Sequence, residues 1–168
     1  MVRDGYKMTE VGVIPEDWEV VEIGSLGTLD KGRGIRKTEV LETGIPCIRY
    51  GELYTAHHEI VKEFKSFISE ETASNSRLLK EGEVMFACSG ETKEEIGKAV
   101  AYCKSDRAYA GSDMIILNPK DSSSEFLGYA LNSDIAVDQK SAAGQGDAVV
   151  HVSTRNIANL KIPLPPQG

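Results

Sequence analysis

The sequence predicts a mixed α/β (α+β) fold, a single domain with a twisted mixed sheet flanked by helices, and three observations lead there. Short apolar runs bounded by turn residues, chiefly residues 83–88, 98–102 and 114–117, have the length and composition of strands. Two later stretches change to helical spacing: one capped by Ser124, with Phe126, Leu127, Ala130 and Leu131 on its apolar side, the other starting at Ser133 or Asp134 and running to about Ala142. The closing segment, residues 144–166, reads as a turn, a strand and a brief helix before Pro163, Pro165 and Pro166 end regular structure. A chain of 168 residues with 40% hydrophobic content suits one core.

Taken in order, residues 1–17 have little periodicity and are punctuated by Gly12 and Pro15, which predicts an extended N-terminal arm leading to a turn and anchored by Trp18. A first strand ends at Ile23, with Glu19 and Glu22 outward, and residues 25–29 read as a short helical turn. Lys31, Gly32, Arg33, Gly34, Ile35, Arg36 and Lys37 form a glycine-rich basic loop, with the backbone freedom to follow a phosphate strand and the charge to hold it, or simply to lie solvated. Residues 45–50 have a strand's composition, with Pro46 restricted to its start or to an edge. Where that strand gives way to a loop, Arg49 has the reach for guanine or phosphate and Tyr50 for sugar or base; the plainer alternative is a strand-end Arg49 paired with Glu52.

His57 and His58 are adjacent and so point to opposite sides of a strand, with no third ligand at metal spacing. Residues 64–68 read as a strand, and Ser69 caps a short helix through about Asn75. The run 83–88 should be central, and its end, Ser89, Gly90, Glu91, Thr92 and Lys93, is a polar loop of the kind that carries contacts on a rigid sheet. Strands over 98–102, 107–110 and 114–117 follow, separated by Ser105-Asp106 and Gly111-Ser112 turns. Gly144 and Gly146 bracket Gln145, allowing positive φ on a tight exposed turn, and residues 148–152 form a strand that carries His151. Ser153 caps a helix with Ile157 and Leu160 inward.

Lys+Arg 19 against Asp+Glu 26 gives a net charge of -7, awkward for a nucleic-acid binder unless charge is segregated. Segregation is visible: the basic island at 31–37 stands apart from Glu70, Glu71, Glu81, Glu83, Glu94 and Glu95. Cys47, Cys88 and Cys103 are odd in number and lack a Cys-x-x-Cys pair, which predicts free thiols in a reducing compartment. No stretch of about 18 apolar residues and no signal-peptide pattern is present, so a soluble, cytoplasmic chain without a membrane partner is expected.

The closing segment, with Gly144-Gln145-Gly146 and the triple-proline end, resembles the end of a target-recognition domain in type I restriction-modification specificity subunits. The opening, Tyr6-Lys7-Met8-Thr9-Glu10-Val11-Gly12-Val13-Ile14-Pro15-Glu16-Asp17-Trp18, resembles the start of such domains, and Glu81-Gly82-Glu83-Val84-Met85-Phe86 their mid-domain turn and strand. The resemblance implies a DNA-binding, non-catalytic domain of mixed structure that reads one half of a split double-stranded DNA site. It also implies partners: modification subunits that methylate adenine using S-adenosylmethionine, restriction subunits that cleave, and a second recognition domain. No cofactor is expected on this chain, and its end at Gln167-Gly168 falls where the family continues into a spacer helix. Base reading is expected from loops at one edge of the sheet: Lys31, Arg33, Arg36 and Lys37; Arg49, Tyr50 and Glu52; Ser89, Thr92 and Lys93 with Gly90; and Gln145 with Gly144 and Gly146, His151 lying just beyond. Gln145 is the preferred base reader, since an amide both donates and accepts along an adenine edge.

Competing chemistries fail on spacing. Between Gly90 and Gly97-Lys98-Ala99 lie six residues where a phosphate loop needs four, and Ala99 replaces the hydroxyl that would hold magnesium. Lys31–Gly34 lacks the third glycine of a dinucleotide fingerprint. Asn118-Pro119-Lys120-Asp121 departs from an amino-methyltransferase motif at its third and fourth positions. Two rivals remain: a small enzyme centred on Cys88, Ser89 and His151 with an activated thiol, and a recognition domain from a single-chain restriction-methylation enzyme.

Overall fold

The computed structural model of the chain describes residues 2–146 and 149–166. Tyr6–Thr9 (β1) and Gly12–Pro15 (β2) pair antiparallel, so the expected extended arm is a hairpin. Its exposed positions carry Tyr6, Met8 and Val13 while Ile14 is buried, so hydropathy does not track burial along it, which is why no periodicity marks it. Trp18, expected to anchor the arm, stands edge-on to Phe126 with ring centroids 6.1 Å apart, and Glu19–Glu22 (β3) follows. A 3-10 turn at Ile23–Ser25 leads into Gly27–Lys31 (β4). Most of residues 25–29 is therefore strand and not a helical turn, because Leu29 and Thr28 pair with Leu117 and Asn118, and tertiary pairing overrides a weak local preference.

The chain continues through a second 3-10 turn at Lys37–Glu39, then Ile45–Ile48 (β5), Glu52–Thr55 (α1), Glu59–Ile60 (β6), Ser66–Ile68 (β7), Glu70–Ala73 (α2) and Arg77–Leu78 (β8). Glu83–Ala87 (β9), Ser89–Gly90 (β10), Ala99–Tyr102 (β11), Tyr109–Ala110 (β12) and Met114–Pro119 (β13) supply most of the sheet structure. Ser124–Ala130 (α3), Asp134–Ala143 (α4), Val150–His151 (β14), Thr154–Ala158 (α5) and Lys161–Leu164 (β15) complete it. The caps follow the sequence closely. Ser69 accepts from Thr72 N, and Ser153 and Asn156 cap each other at 3.1 and 3.0 Å, while α3 is capped by Ser123, one residue before the expected Ser124. Pro163 does not end regular structure: it lies inside β15, which among the described residues pairs with β3 alone and so tolerates a missing N–H. Of the strand expected at 148–152, Ala148 lies outside the described residues.

Five strands in the order β4-β13-β9-β11-β6 form the main sheet, antiparallel except for β6 beside β11. A second sheet runs β7-β5-β12-β8, with β5 and β12 parallel. Central β9 explains its own sequence. The pleat alternates its side chains, sending Val84 and Phe86 into a core with Leu127, Leu131 and Ile157, and Met85 and Ala87 into another with Ile48, Leu53 and Ala110. Both faces are covered, so the run is apolar without alternation. Phe86 is fully buried, and its truncation to alanine costs about 3–5 kcal/mol.

Two cations, Arg77 largely buried and Lys140 fully so, fix the elements around this sheet. Arg77 forks onto fully buried Glu83, Nη1 to Oε1 at 2.5 Å and Nη2 to Oε2 at 2.8 Å, and its Nε reaches Asp30 at 3.1 Å. Lys140, 1% exposed on α4, donates from Nζ to the carbonyls of Gly97 and Leu131 at 2.8 and 2.5 Å. Among the described residues no helix is long and apolar enough to cross a membrane.

Candidate nucleic-acid interface

Strand register decides which loops meet. Met114 lies opposite Ala87, Ile115 opposite Lys31 and Ala110 opposite Ile48, so the ends of β4, β9 and β5 and the start of β13 share one side of the molecule. The loops at 31–37, 49–52, 89–93 and 111–113 therefore leave together. The Gln145–His151 segment joins them through β14, where Ser89 pairs with His151 and Gly90 with Val150. The expected gathering of loops at one sheet edge is what the register produces.

The basic loop is held by its backbone and presents its charges outward. Gly32 N donates to Met114 O at 3.0 Å, Arg33 N to Ala110 O at 3.2 Å, and Gly34 O accepts from Ser112 N and Oγ at 3.0 and 2.9 Å. Gly32 is required by close approach, since a Cβ there would lie 1.8 Å from Gly111 O. Ile35 takes φ +60°, a conformation that costs a β-branched residue about 1–3 kcal/mol, and burial of its side chain with Cys47, Ile68 and Tyr109 holds it there. Lys31, Arg33, Arg36 and Lys37 are all exposed, and among the described residues none of their side chains enters an ion pair.

Arg49 and Tyr50 are half-buried beside this loop, but Glu52 does something other than expected. Its Oε2 accepts from Arg49 N at 3.1 Å and its Oε1 faces buried His57 Nε2 at 3.5 Å, so the carboxylate is used internally at the start of α1 and is turned away from any reader's role. The alternative Arg49–Glu52 pairing is thus realised through the backbone and not the guanidinium. His57 is buried and His58 exposed, opposite as expected although neither lies in a strand; His58 Nδ1 accepts from Lys98 Nζ at 2.9 Å.

Thr92 and Lys93 are exposed on the loop after β10. Ser89 is not a loop residue: it is buried in the β10–β14 pair, with Oγ 3.0 Å from His151 Nδ1. Gln145 is exposed, fixed by reciprocal backbone bonds with His151 at 3.0 and 2.8 Å, and among the described residues its amide meets only Ala143 O, at 3.5 Å. Gly146 has the expected positive φ, +109°, whereas Gly144 is extended at φ −61° and is small because a Cβ would meet Val150 Cγ1 at 2.8 Å. The segregation of charge is also less complete than the sequence implies, for Glu95 joins Glu91 at this end of the sheet.

A nucleophilic centre finds no support here. Burial, and secondarily the Asp113 carboxylate, push the Cys88 thiol up to about 12, the reverse of activation. Ser89 and His151 touch, but among the described residues no carboxylate hydrogen-bonds the imidazole, and no cluster of His, Cys, Asp and Glu there could hold a metal. One feature had no sequence signal. A cleft of about 500 Å³ is lined by Tyr50, Tyr54, Gly90, Glu91, Glu95 and Val149, residues up to a hundred positions apart that only the fold brings together.

Rigid sheets that carry exposed polar loops at one end form a recognition module. Residues 15–168 match the type I restriction modification DNA specificity domain, and the chain belongs to that family. It is 28% identical over 172 residues to the type I restriction enzyme MjaVIII specificity subunit of Methanocaldococcus jannaschii, with 95% of this chain covered. This chain spans only 38% of that relative's length. Its fold is similar to that of the HsdS subunit from Thermoanaerobacter tengcongensis, at a TM-score of 0.61 and 17% identity over 97% of this chain and 37% of that one. It is likewise similar to the type I restriction-modification S subunit from M. genitalium, at a TM-score of 0.59 and 15% identity over 88% of this chain and 34% of that one.

Proposed function

We propose that this chain reads one half of a bipartite DNA site and catalyses nothing itself. In this reading modification subunits methylate adenine with S-adenosylmethionine, restriction subunits cleave, and a second recognition domain reads the other half-site. The supporting observation is the convergence at one sheet end of four exposed cations, without ion pairs among the described residues, with the Arg49–Tyr50 corner and the Gln145 turn. Lys31, Arg33, Arg36 and Lys37 contact phosphates and position the domain; Arg49, Tyr50, Thr92, Lys93 and Gln145 face the bases. A net charge of -7 makes the isolated chain a weak binder, which the partners in the assembly offset.

Selection from a randomised duplex library at low salt tests this, and the enriched pool should carry a short motif. Alanine at each of the four cations should weaken cognate and unrelated DNA alike and flatten the slope of log K against log salt by about 0.9 per contact. Gln145→Ala should alter preference at one position by about 1–3 kcal/mol. An unenriched pool, together with a salt slope unchanged in the quadruple variant, would refute the reading.

A further inference from the structure

Beside the basic loop, the cleft between α1 and the β10–β14 pair differs in chemistry from everything around it. Its wall is aromatic: Tyr50 and Tyr54 both pack on the second core. Tyr54 spends its hydroxyl internally, donating to Ser89 O at 2.8 Å, so what it offers the cleft is ring. Burial, the Glu95 charge and other neighbours hold that hydroxyl protonated far above neutral pH. Gly90 makes room for this arrangement, because a Cβ there would lie 2.6 Å from the Tyr54 hydroxyl. Across the cleft stands Val149, 52% exposed and just past the Gln145 turn, an apolar side chain among loops otherwise tipped with charge and amide. A solvent-facing valine beside preorganised rings gains nothing from water and would gain from an apolar group entering.

We infer that this cleft reads a thymine by its C5-methyl group in the major groove, with Val149 as the contacting residue, Tyr50 and Tyr54 as the rigid wall, and Gly90 as the residue that positions Tyr54. The inference rests on the DNA-reading proposal above and names what one part of that surface recognises. The occupant follows from chemistry. The basic loop brings the phosphates of a duplex to this end of the sheet, and the base-edge group there that gains from the apolar part of the cleft, the Tyr50 and Tyr54 rings and Val149, is the thymine methyl. Glu91 and Glu95, at the rim, repel phosphates and accept hydrogen bonds from exocyclic amino groups, which orients the cleft toward base edges.

Deoxyuridine scanning tests this, since replacing thymine by uracil removes the methyl and nothing else. With the complete chain and its selected duplex, uracil at one thymine should weaken binding by roughly three- to tenfold, the worth of one buried methyl. Val149→Ala should weaken the thymine duplex by a similar factor and become indifferent to uracil at that position; Val149→Ile should keep the sensitivity. Because Val149 is exposed, these variants should fold, and the Gln145 preference serves as an internal check. A uracil scan that stays flat on a duplex still bound with sequence preference overturns this inference alone, as does a Val149→Ala variant with undiminished uracil sensitivity. Loss of all sequence preference in the unaltered chain overturns the DNA-reading proposal, and this inference with it.

Discussion

Arg77 and Lys140 are both cations withdrawn from water, yet their surroundings differ completely. Arg77 meets two carboxylates, one of them fully buried, and its pKa is raised by the Glu83 hydrogen bonds, which outweigh desolvation. Lys140 meets two carbonyls, and burial alone lowers its pKa to about 7. A guanidinium cannot give up its proton, so the fold had to bring acid to it; an ammonium can, and a neutral amine still has two N–H bonds for two carbonyl oxygens. The two sites therefore respond to opposite perturbations. Arg77 depends on its partners, Lys140 on pH. The difference reaches the interface, because Lys140 holds Gly97, where the loop carrying Glu91 and Glu95 returns to the sheet.

The largest break in this comparison should come from Glu83→Ala, which leaves a half-paired guanidinium under the sheet. Urea denaturation should show a loss of about 3–5 kcal/mol. A loss under about 1 kcal/mol would mean that Asp30 alone suffices for Arg77. Lys140 comes second. Below pH 7 the folded and unfolded chains both carry its proton; between about 7 and 10.5 the unfolded chain retains a proton that the folded chain has released, so stability rises with pH across that window. The slope from this group is at most about 1.4 kcal/mol per pH unit. Lys140→Met should flatten the rise measured between about pH 6.5 and about pH 8.5, and parallel curves for the two proteins would contradict the assignment. The smallest effect belongs to Asp30→Asn. Its carboxyl is held below the usual range first by the Lys31 backbone N–H and then by Arg77, so its contribution is present near neutrality and fades as acid protonates it. Exposure keeps the loss to at most about 1 kcal/mol in thermal unfolding.

Neither cation's surroundings were legible in the sequence. Lys140 follows Asp138 and Gln139 and reads as a solvated helix face, and nothing local pairs Arg77 with Glu83 across the turn at Gly82. What could be read was whatever depends on neighbours along the chain: the doubly buried run of β9, the serine caps at Ser69 and Ser153, and the turn at Gly146. The site divides the same way. Exposure of the 31–37 cations follows from a polar glycine-rich run. The internal use of Glu52 depends on His57 and on the fold of α1, and the Tyr54–Val149 cleft depends on pairing between β10 and β14, 62 residues apart in the chain for Ser89 and His151. The hairpin at β1–β2 was hidden because its exposed positions carry Tyr6, Met8 and Val13, so hydropathy does not follow burial along either strand.

The meeting of Gly32 with Gly111 bears on how such a domain acquires a new target. The loop is buttoned to the sheet by main-chain atoms, those of Arg33 included, and by Ile35, and among the described residues no ion pair draws the side chains of Arg33, Arg36 and Lys37 into the fastening. Those three positions are free to be rewritten, while a single methyl at Gly32 would collide with a carbonyl and unseat the whole segment. Inheritance can therefore trade letters on the outside of this loop and leave its socket untouched, and a loop transplanted from a sister protein will seat only if it brings a glycine at that one place.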